Sequence, residues 1–399
     1  MKRDRHALEG ELARLDGAQL RRRRITVGRF PEEASRALIE VDGRTLVDFS
    51  SNDYLGLARH PALAAAMAAS AGSAGAGSAA SHLITGHAAA HERLEEELAA
   101  FTQRERALLF STGYMANLAV MSAFAGRGER VLLDRLCHAS LLDGARLSGA
   151  DFRRYAHADA DAATALLGAH PGRSVLLATD GLFSMDGDVA PLAALARAAR
   201  AAHVWLAVDD AHGLGVLGAR GRGTLEECAL GAEEVPLLIG TLGKAFGSFG
   251  AFVAGDVAVI DYLMQKARSY IYTTALPAPV AAASRAALAL AAAEPWRRTR
   301  LATLTERFRR AAGAAGVPLS ASRTPIQPIV LASEAAVLEA QRALAQAGLA
   351  VIAIRPPTVP KGGARLRVTL SAAHSEAQVD RLAAALGECC RHGAAAGAA

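Results

Sequence analysis

The stretch VWLAVDDAH, residues 204–212, is apolar for five residues and then delivers two carboxylates and an imidazole. A strand on a half-solvated sheet alternates apolar and polar side chains. An unbroken aliphatic run is what a strand needs when helices cover both faces of a parallel sheet. The pattern recurs on either side in RALLFS (106–111), RVLLDR (130–135), SVLLATD (174–180), PLLIGTLG (236–243) and AFVAGD (251–256), with helix-forming stretches between them. Such alternation predicts an α/β fold built on a doubly wound, mainly parallel sheet. Functional groups in these sheets collect at the carboxyl ends of the strands, where Ser111, Asp134, Asp180, Asp209 and Thr241 stand.

The alternation spans residues 51–275, the expected large domain. Residues 1–50 read as an N-terminal helix to about Arg24 and an arm, in which Asp42-Gly43 turns a hairpin. Residues 276–399 mix long helices with the strands IQPIVLAS, AVIAIRP and ARLRVTLS, a smaller α+β domain whose tail GAAAGAA is expected to fray. The small-residue run 72–81 reads either as a flexible linker or as backbone that approaches a ligand closely.

Composition narrows the function. The chain has 399 residues, 52% hydrophobic but only 5% aromatic, so its apolar content is largely alanine in helices. No apolar run reaches the roughly 20 residues that span a bilayer. The mixed-charge amino terminus lacks the apolar core of a secretion signal, so a cytoplasmic protein without membrane contact is expected. The net charge is +5, and residues 21–24 form the one basic run, with no interleaved aromatics, which argues against nucleic acid. Cys137, Cys228, Cys389 and Cys390 lack CxxC spacing and read as reduced thiols.

The stretch IGTLGKAFGSFGAF (239–252) holds Lys244, one of four lysines among 44 basic residues. Unlike guanidinium, a desolvated lysine amine can lose its proton and attack a carbonyl. Lys2, Lys266 and Lys361 lie in polar or loop-like settings, whereas Lys244 is enclosed by apolar residues and four glycines. Asp209 suits the ring nitrogen of a pyridine aldehyde cofactor, which a carboxylate keeps protonated, although most acidic residues at strand ends only meet solvent. His212 is placed to donate to such a ring, and His138 to stack on it. Ser111 and Thr112 can cap a helix that opens at Gly113 and Tyr114, a site for a phosphate, to which Thr241 could add a hydroxyl. Ser184 lies in a turn-rich connection.

Rival motifs are weaker. Residues 213–218 match GxGxxG but do not open a helix directly after a strand, as a dinucleotide fingerprint should. His87 and His91 have i,i+4 spacing in HAAAHE (87–92), but there is no internal glutamate and no evident third ligand, so no metal is expected. No GxSxG elbow occurs.

Taken together, TDGLFSMDGDVAPL (179–192), VDDAHGLGVLGARGRG (208–223) and GTLGKAFGSFGAF (240–252) resemble the α-oxoamine synthases. These pyridoxal-phosphate enzymes join an amino acid to an acyl thioester with loss of carbon dioxide. The resemblance runs over about residues 20–374, through SSNDYLGL (50–57), HERLEEELA (91–99), DRLCHASLLDGARLS (134–148) and IRPPTVPKGGARLRVTLSAAH (354–374). SSNDYLGL with AIRPPTVP (353–360) is most similar to the members that use L-alanine and a pimeloyl thioester, carried by coenzyme A or acyl carrier protein. A sister activity joining glycine to acetyl-CoA is the alternative, and a protein that keeps the fold only to bind is the rival outside enzymes.

The resemblance implies an aspartate aminotransferase-like fold and a homodimer with active sites at its interface. It implies that pyridoxal 5'-phosphate is carried by Lys244, faced by Asp209 and His212, stacked by His138 and surrounded by Gly113, Tyr114, Ser184 and Thr241. Thr273 and Thr274 would reach the neighbouring subunit's phosphate. Arg367 would clamp the amino acid's carboxylate, and Arg21, Asn52, His138 and Thr358 would contact substrate. In GSAGAGSAASHLITG (72–86), alanine replaces glycine at several places where the family favours it.

Overall fold

The structure, a computed structural model, describes residues 4–18, 20–22, 24–29, 37–169, 172–331 and 333–396. Lys2, Arg23 of the basic run and the last three residues of the tail lie outside the described residues. The chain forms two compact units, one from Met1–Ser51, Met185–Gly187 and Leu301–Ala399, the other from Asn52–Ser184 and Asp188–Arg300.

In the smaller unit the first helix, Arg5–Gly17, starts at Asp4, whose carboxylate accepts the Ala7 N–H at 2.8 Å. It stops well before Arg24 and buries none of its residues, so no packing extends it. Strand β1 (Val27–Arg29) pairs with β2 (Leu38–Val41), which turns at Asp42-Gly43 into β3 (Arg44–Asp48). Both turn residues have positive φ, 51° and 73°, as a two-residue hairpin of this twist requires.

The larger unit holds β4 (Arg106–Phe110), β5 (Arg130–Asp134), β6 (Asp151–Tyr155), β7 (Ser174–Asp180), β8 (Trp205–Asp209), β9 (Leu237–Thr241) and β10 (Ala251–Gly255). They form one sheet in the order β4-β10-β9-β8-β7-β5-β6, parallel except for β10, which runs antiparallel to both neighbours. Alternate residues feed two cores. Leu133, Leu176 and Ala207 point into one, and Leu132, Leu177 and Val208 into the other, which is why these strands carry no polar alternation. The sequence pattern missed β6, DFRRY, because it is an edge strand whose Arg153 and Arg154 are exposed.

The smaller unit is completed by β11 (Ile326–Val330), β12 (Leu349–Ala350), β13 (Ile352–Ile354) and β14 (Arg365–Thr369). β11, β14 and β13 make an antiparallel sheet, while β12 joins β3 in parallel, Leu349 opposite Val47. The segments at the two ends of the chain thus share one compact unit. The helix Ala278–Ala293 packs on Pro61–Ala74 and Ala89–Thr102, and the compact unit that holds them runs to Arg300. The last helix, Glu376–Ala396, runs through most of the expected tail. Among the described residues, no helix is long and apolar enough to cross a membrane.

The alanine-substituted run is ordered by backbone contacts. Helix Pro61–Ala74 ends at Gly75 with φ 75°, Ala79 takes φ 57°, and one π-helical turn follows at His82–Gly86. Ser78 Oγ donates to the Leu276 carbonyl at 2.8 Å, and Ala275 N to the Ala80 carbonyl at 3.0 Å. A Cβ on Gly86 would lie 2.1 Å from the Ala80 oxygen, whereas one on Gly77 would meet nothing within 4 Å. Gly86→Ala should therefore cost about 1–3 kcal/mol of unfolding free energy, with Gly77→Ala near neutral. Urea denaturation of both variants checks this, and equal midpoints would refute the packing argument.

Candidate active site

The carboxyl edge of the larger sheet collects the reactive groups. β7 and β8 end in register with Asp180 opposite Asp209, both buried. Asp209 Oδ2 accepts from Asn117 Nδ2 at 2.6 Å and Oδ1 from the Ala211 N–H at 3.0 Å. Asp180 Oδ1 accepts the His138 N–H at 3.1 Å. Burial, with the charge of Asp209 added, holds the Asp180 carboxyl well above the usual carboxylate range.

Neighbouring Asp210 does different work. It is fully buried, burial pushes it up to about 8, and its Oδ2 accepts the Thr224 N–H at 2.7 Å. A Cβ on Gly213 or Gly223 would come within 2.1 or 1.8 Å of its oxygens, so the glycines of 213–223 wrap this carboxyl. No helix opens on the GxGxxG match at 213–218, which instead folds back through Gly215 N to the Gly221 carbonyl at 2.7 Å, and the next helix is the short Thr224–Glu227. Asp210 thus organises a loop, and Asp209 remains the strand-end carboxylate that faces the other reactive groups.

Lys244 stands in the tight connection from β9 to β10. Its carbonyl accepts the Gly247 N–H at 2.8 Å, with Gly247 at φ 62°. The half-buried Nζ lies 2.9 Å from His212 Nε2, His212 Nδ1 lies 2.6 Å from the Tyr54 hydroxyl, and that hydroxyl lies 3.4 Å from Asn52 Oδ1. One direction satisfies the row: Lys244 donates to His212 Nε2, His212 Nδ1–H to Tyr54, and Tyr54 to Asn52.

A second row reaches Asp209. His138 caps the helix Ala139–Ser148; its Nδ1 meets Ser140 Oγ at 2.7 Å, and Asn117 Nδ2 donates to that oxygen at 2.8 Å and to Asp209. The His138 ring keeps an exposed edge, yet desolvation lowers its pKa more than the Asp209 charge raises it, and Lys244 lowers it further. The structure thus links Asn52, His212 and Lys244 in one row, and His138 with Asp209 in another. Tyr54, Asn117 and Ser140 escaped the sequence reading. Each is an ordinary polar residue whose only clue is a position on a buried segment.

The remaining candidates sit as follows. Gly113 opens the helix Gly113–Phe124, capped by Thr112 Oγ1 on Met115 N at 3.2 Å, and a Cβ there would meet nothing within 4 Å. Tyr114 is exposed and donates to Asp143 at 2.5 Å. Ser184 is the last residue of the larger unit before 185–187. Thr241 ends β9, its hydroxyl donating to the Gly250 carbonyl at 3.0 Å. Thr274 bridges Ser81, with Thr273 beside it. Arg21, Thr358 and Arg367 belong to the smaller unit, where Arg21 pairs with Asp16 at 2.6 Å, Arg22 rather than Arg21 reaches Thr358 at 3.0 Å, and buried Arg367 donates to Thr369 at 3.0 Å.

Residues 44–386 match the family Aminotransferase class I and II. An 8-amino-7-oxononanoate synthase of Methylococcus capsulatus is 59% identical over 360 residues, covering 90% of this chain and 93% of that protein. The chain belongs to the 8-amino-7-oxononanoate synthase family. Serine palmitoyltransferase of Sphingomonas wittichii superposes with a TM-score of 0.91 at 28% identity, covering 97% of each chain. An 8-amino-7-oxononanoate synthase crystal structure from Francisella tularensis gives 0.76 at 30% identity, covering 87% of this chain and 98% of that one. The fold is that of pyridoxal-phosphate enzymes of fold type I, and the protein is a pyridoxal-phosphate-dependent acyltransferase of biotin biosynthesis. Its residues fit the cofactor. Lys244 offers the amine, Asp209 a buried carboxylate with both oxygens already oriented, and Gly113 an open helix start for a phosphate.

At the end of β5, His157 bridges two more carboxylates, Nδ1 to Asp134 and Nε2 to Asp188, each at 2.9 Å. Burial opposes its charge, but the bonds and charges of Asp134 and Asp188 together raise it from 6.5 to about 10. Its stabilisation is fully present below about pH 6.5, declines as pH rises and is lost above about 10. Between these limits the melting temperature of the wild type should fall more steeply than that of His157→Gln. Parallel thermal scans test this, and equal slopes would show that the ring titrates normally.

Proposed function

We propose that the protein condenses L-alanine with a pimeloyl thioester, giving 8-amino-7-oxononanoate, carbon dioxide and the free thiol. The observation that carries this reading is the Lys244 amine 2.9 Å from His212, on the connection that leaves the strand beside Asp209. Identity of 59% to the Methylococcus capsulatus protein supports the choice of substrates. The acyl carrier is coenzyme A or acyl carrier protein.

Bound pyridoxal phosphate supplies a pyridine ring that draws electrons from the substrate Cα. Asp209 holds a proton on the ring nitrogen, because a carboxylate fixed by Asn117 and a backbone N–H stabilises that cation. His138 would cover the ring face and His212 would contact its phenolic oxygen. The Lys244 amine removes the alanine Cα proton and later returns one. Cα forms a bond to the thioester carbonyl carbon, the thiolate leaves with its electron pair, and the alanine carboxyl departs as carbon dioxide.

Gly113, Tyr114, Ser184 and Thr241 surround the cofactor, joined by Thr273 and Thr274 of the partner subunit in a cytoplasmic homodimer. In functional terms the chain divides into an arm (1–50), a cofactor domain (51–275) and a C-terminal domain (276–399). Arg367 clamps the amino acid's carboxylate, and Asn52 and Thr358 contact substrate. Arg21 reads the far carboxylate of the pimeloyl chain, which is costly to bury unpaired.

Lys244→Ala should abolish turnover. Asp209→Asn should lower kcat by roughly 100-fold or more with the fold retained, while Asp210→Asn should leave kcat within a few-fold. Steady-state kinetics with circular dichroism decides this, and the reverse order would exchange the two carboxylates. For the substrates, alanine with pimeloyl-CoA should outpace glycine with acetyl-CoA. Arg21→Ala should raise KM for the pimeloyl thioester about tenfold while leaving that for alanine within about twofold. Faster turnover of glycine with acetyl-CoA would assign the sister activity. An equal loss for an uncharged acyl chain of the same length would remove Arg21 from carboxylate reading.

A further inference from the structure

The sequence offered His87 and His91 with no third partner, and the π turn supplies one in His82. One ring nitrogen from each of the three lies within 4.8 Å of the others, and the ring centroids are 5.1, 5.1 and 5.4 Å apart. Three imidazoles ligating one tetrahedral zinc at about 2.0–2.1 Å would hold their centroids about 5 Å apart. The rings already have that spacing.

The proton positions of His91 and His87 agree with it. His91 Nε2 faces the Leu276 carbonyl at 2.7 Å, and a carbonyl can only accept, so the proton is on Nε2 and the lone pair on Nδ1. His87 Nε2 meets Glu92 Oε2 at 3.0 Å, which likewise leaves the His87 lone pair on Nδ1. A backbone carbonyl and a carboxylate behind the far nitrogen are the contacts that orient metal-ligating histidines. His82 Nδ1–H stands 2.8 Å from His87 Nδ1 and donates to its lone pair, so an ion would displace that proton to His82 Nε2, and stacking on Tyr270 at 5.0 Å and 8° fixes the His82 ring. His91 Nδ1 accepts the Ala88 N–H at 2.9 Å, and binding exchanges that one bond for the ion.

We propose that His82, His87 and His91 form a binding site for a borderline divalent cation of the zinc, cobalt and nickel class, ligated through their Nδ1 atoms with a fourth position open to water. Three imidazole donors without a thiolate select these ions over magnesium or calcium, while Glu92 and Glu95 group with His87 alone. The ion would fasten the π turn to the helix Ala89–Thr102. The turn is in turn joined to 274–275 through the Ser81 bridge to Thr274 and the Ala275 N–H on the Ala80 carbonyl at 3.0 Å. Metal loading would therefore stiffen the segment that carries Thr273 and Thr274.

The test uses the holoenzyme freed of metal by dialysis against a chelator, then titrated with cobalt(II) and, separately, zinc(II). Saturable uptake of about one equivalent per chain is expected, with zinc-edge X-ray absorption showing imidazole nitrogens at about 2.0–2.1 Å. His82→Gln and His87→Gln should each weaken uptake at least about tenfold and remove the zinc-induced rise in Tm. The absorption spectrum reads the unmutated protein, so it decides even where a variant folds poorly. No saturable uptake, a shell containing sulfur, or uptake undiminished in both variants would overturn the site.

Discussion

Two carboxylates buried side by side at the ends of adjacent strands set the terms for the larger unit. Asp180 and Asp209 lie opposite each other in the parallel ladder, and adjacent strands are only about 4.8 Å apart. Two bare negative charges at that spacing and depth would repel strongly, and burial together with the charge of Asp209 pushes the Asp180 carboxyl well above its usual range. The surrounding donors follow from this constraint. Asn117 and the Ala211 N–H hold Asp209, the His138 N–H holds Asp180, and the positive charge of Lys244 reaches Asp180. A cation placed over Asp209 would relieve the same repulsion.

The frame that imposes this spacing is rigid because both of its faces are filled. Buried aliphatic residues from every inner strand feed the two cores, and the strands cannot slide without turning their side chains into the wrong layer. The reactive amine sits on a connection that shares this rigidity. A Cβ at Gly247 would come within 2.3 Å of the Ala58 backbone, so the loop lies flat against its neighbour and presents Lys244 from a fixed base. Precise placement of a nucleophilic amine is worth more than its intrinsic reactivity, since proximity removes entropy from the barrier.

Much of this was legible in the amino acids. Continuous aliphatic runs ending in Asp134, Asp180, Asp209 and Thr241 marked the strands and the edge where chemistry gathers, because local hydrophobicity reports burial directly. Lys244 stood out through the scarcity of lysine. What stayed hidden depended on distant partners. β6 is polar because it lies at an edge, and Asn117 is a site residue only because its helix passes Asp209, 92 positions away. The antiparallel course of β10 and the grouping of the first and last segments into one unit are likewise properties of pairing, which no local window contains. The separate duties of Asp209 and Asp210 also needed coordinates, since the two carboxylates are chemically identical and adjacent.

The parallel pairing of β3 with β12 has a consequence for the order in which the protein can be made. Val47 leaves the ribosome some 300 residues before its ladder partner Leu349. Until then the β2–β3 hairpin exposes an unpaired edge next to residues destined for burial, such as Leu46 and Val47. The contiguous core of the larger unit, by contrast, is complete once residue 300 has emerged. Vectorial synthesis therefore finishes the seven-stranded sheet first and leaves the β2–β3 hairpin waiting, a nascent-chain interval in which chaperone binding would matter most.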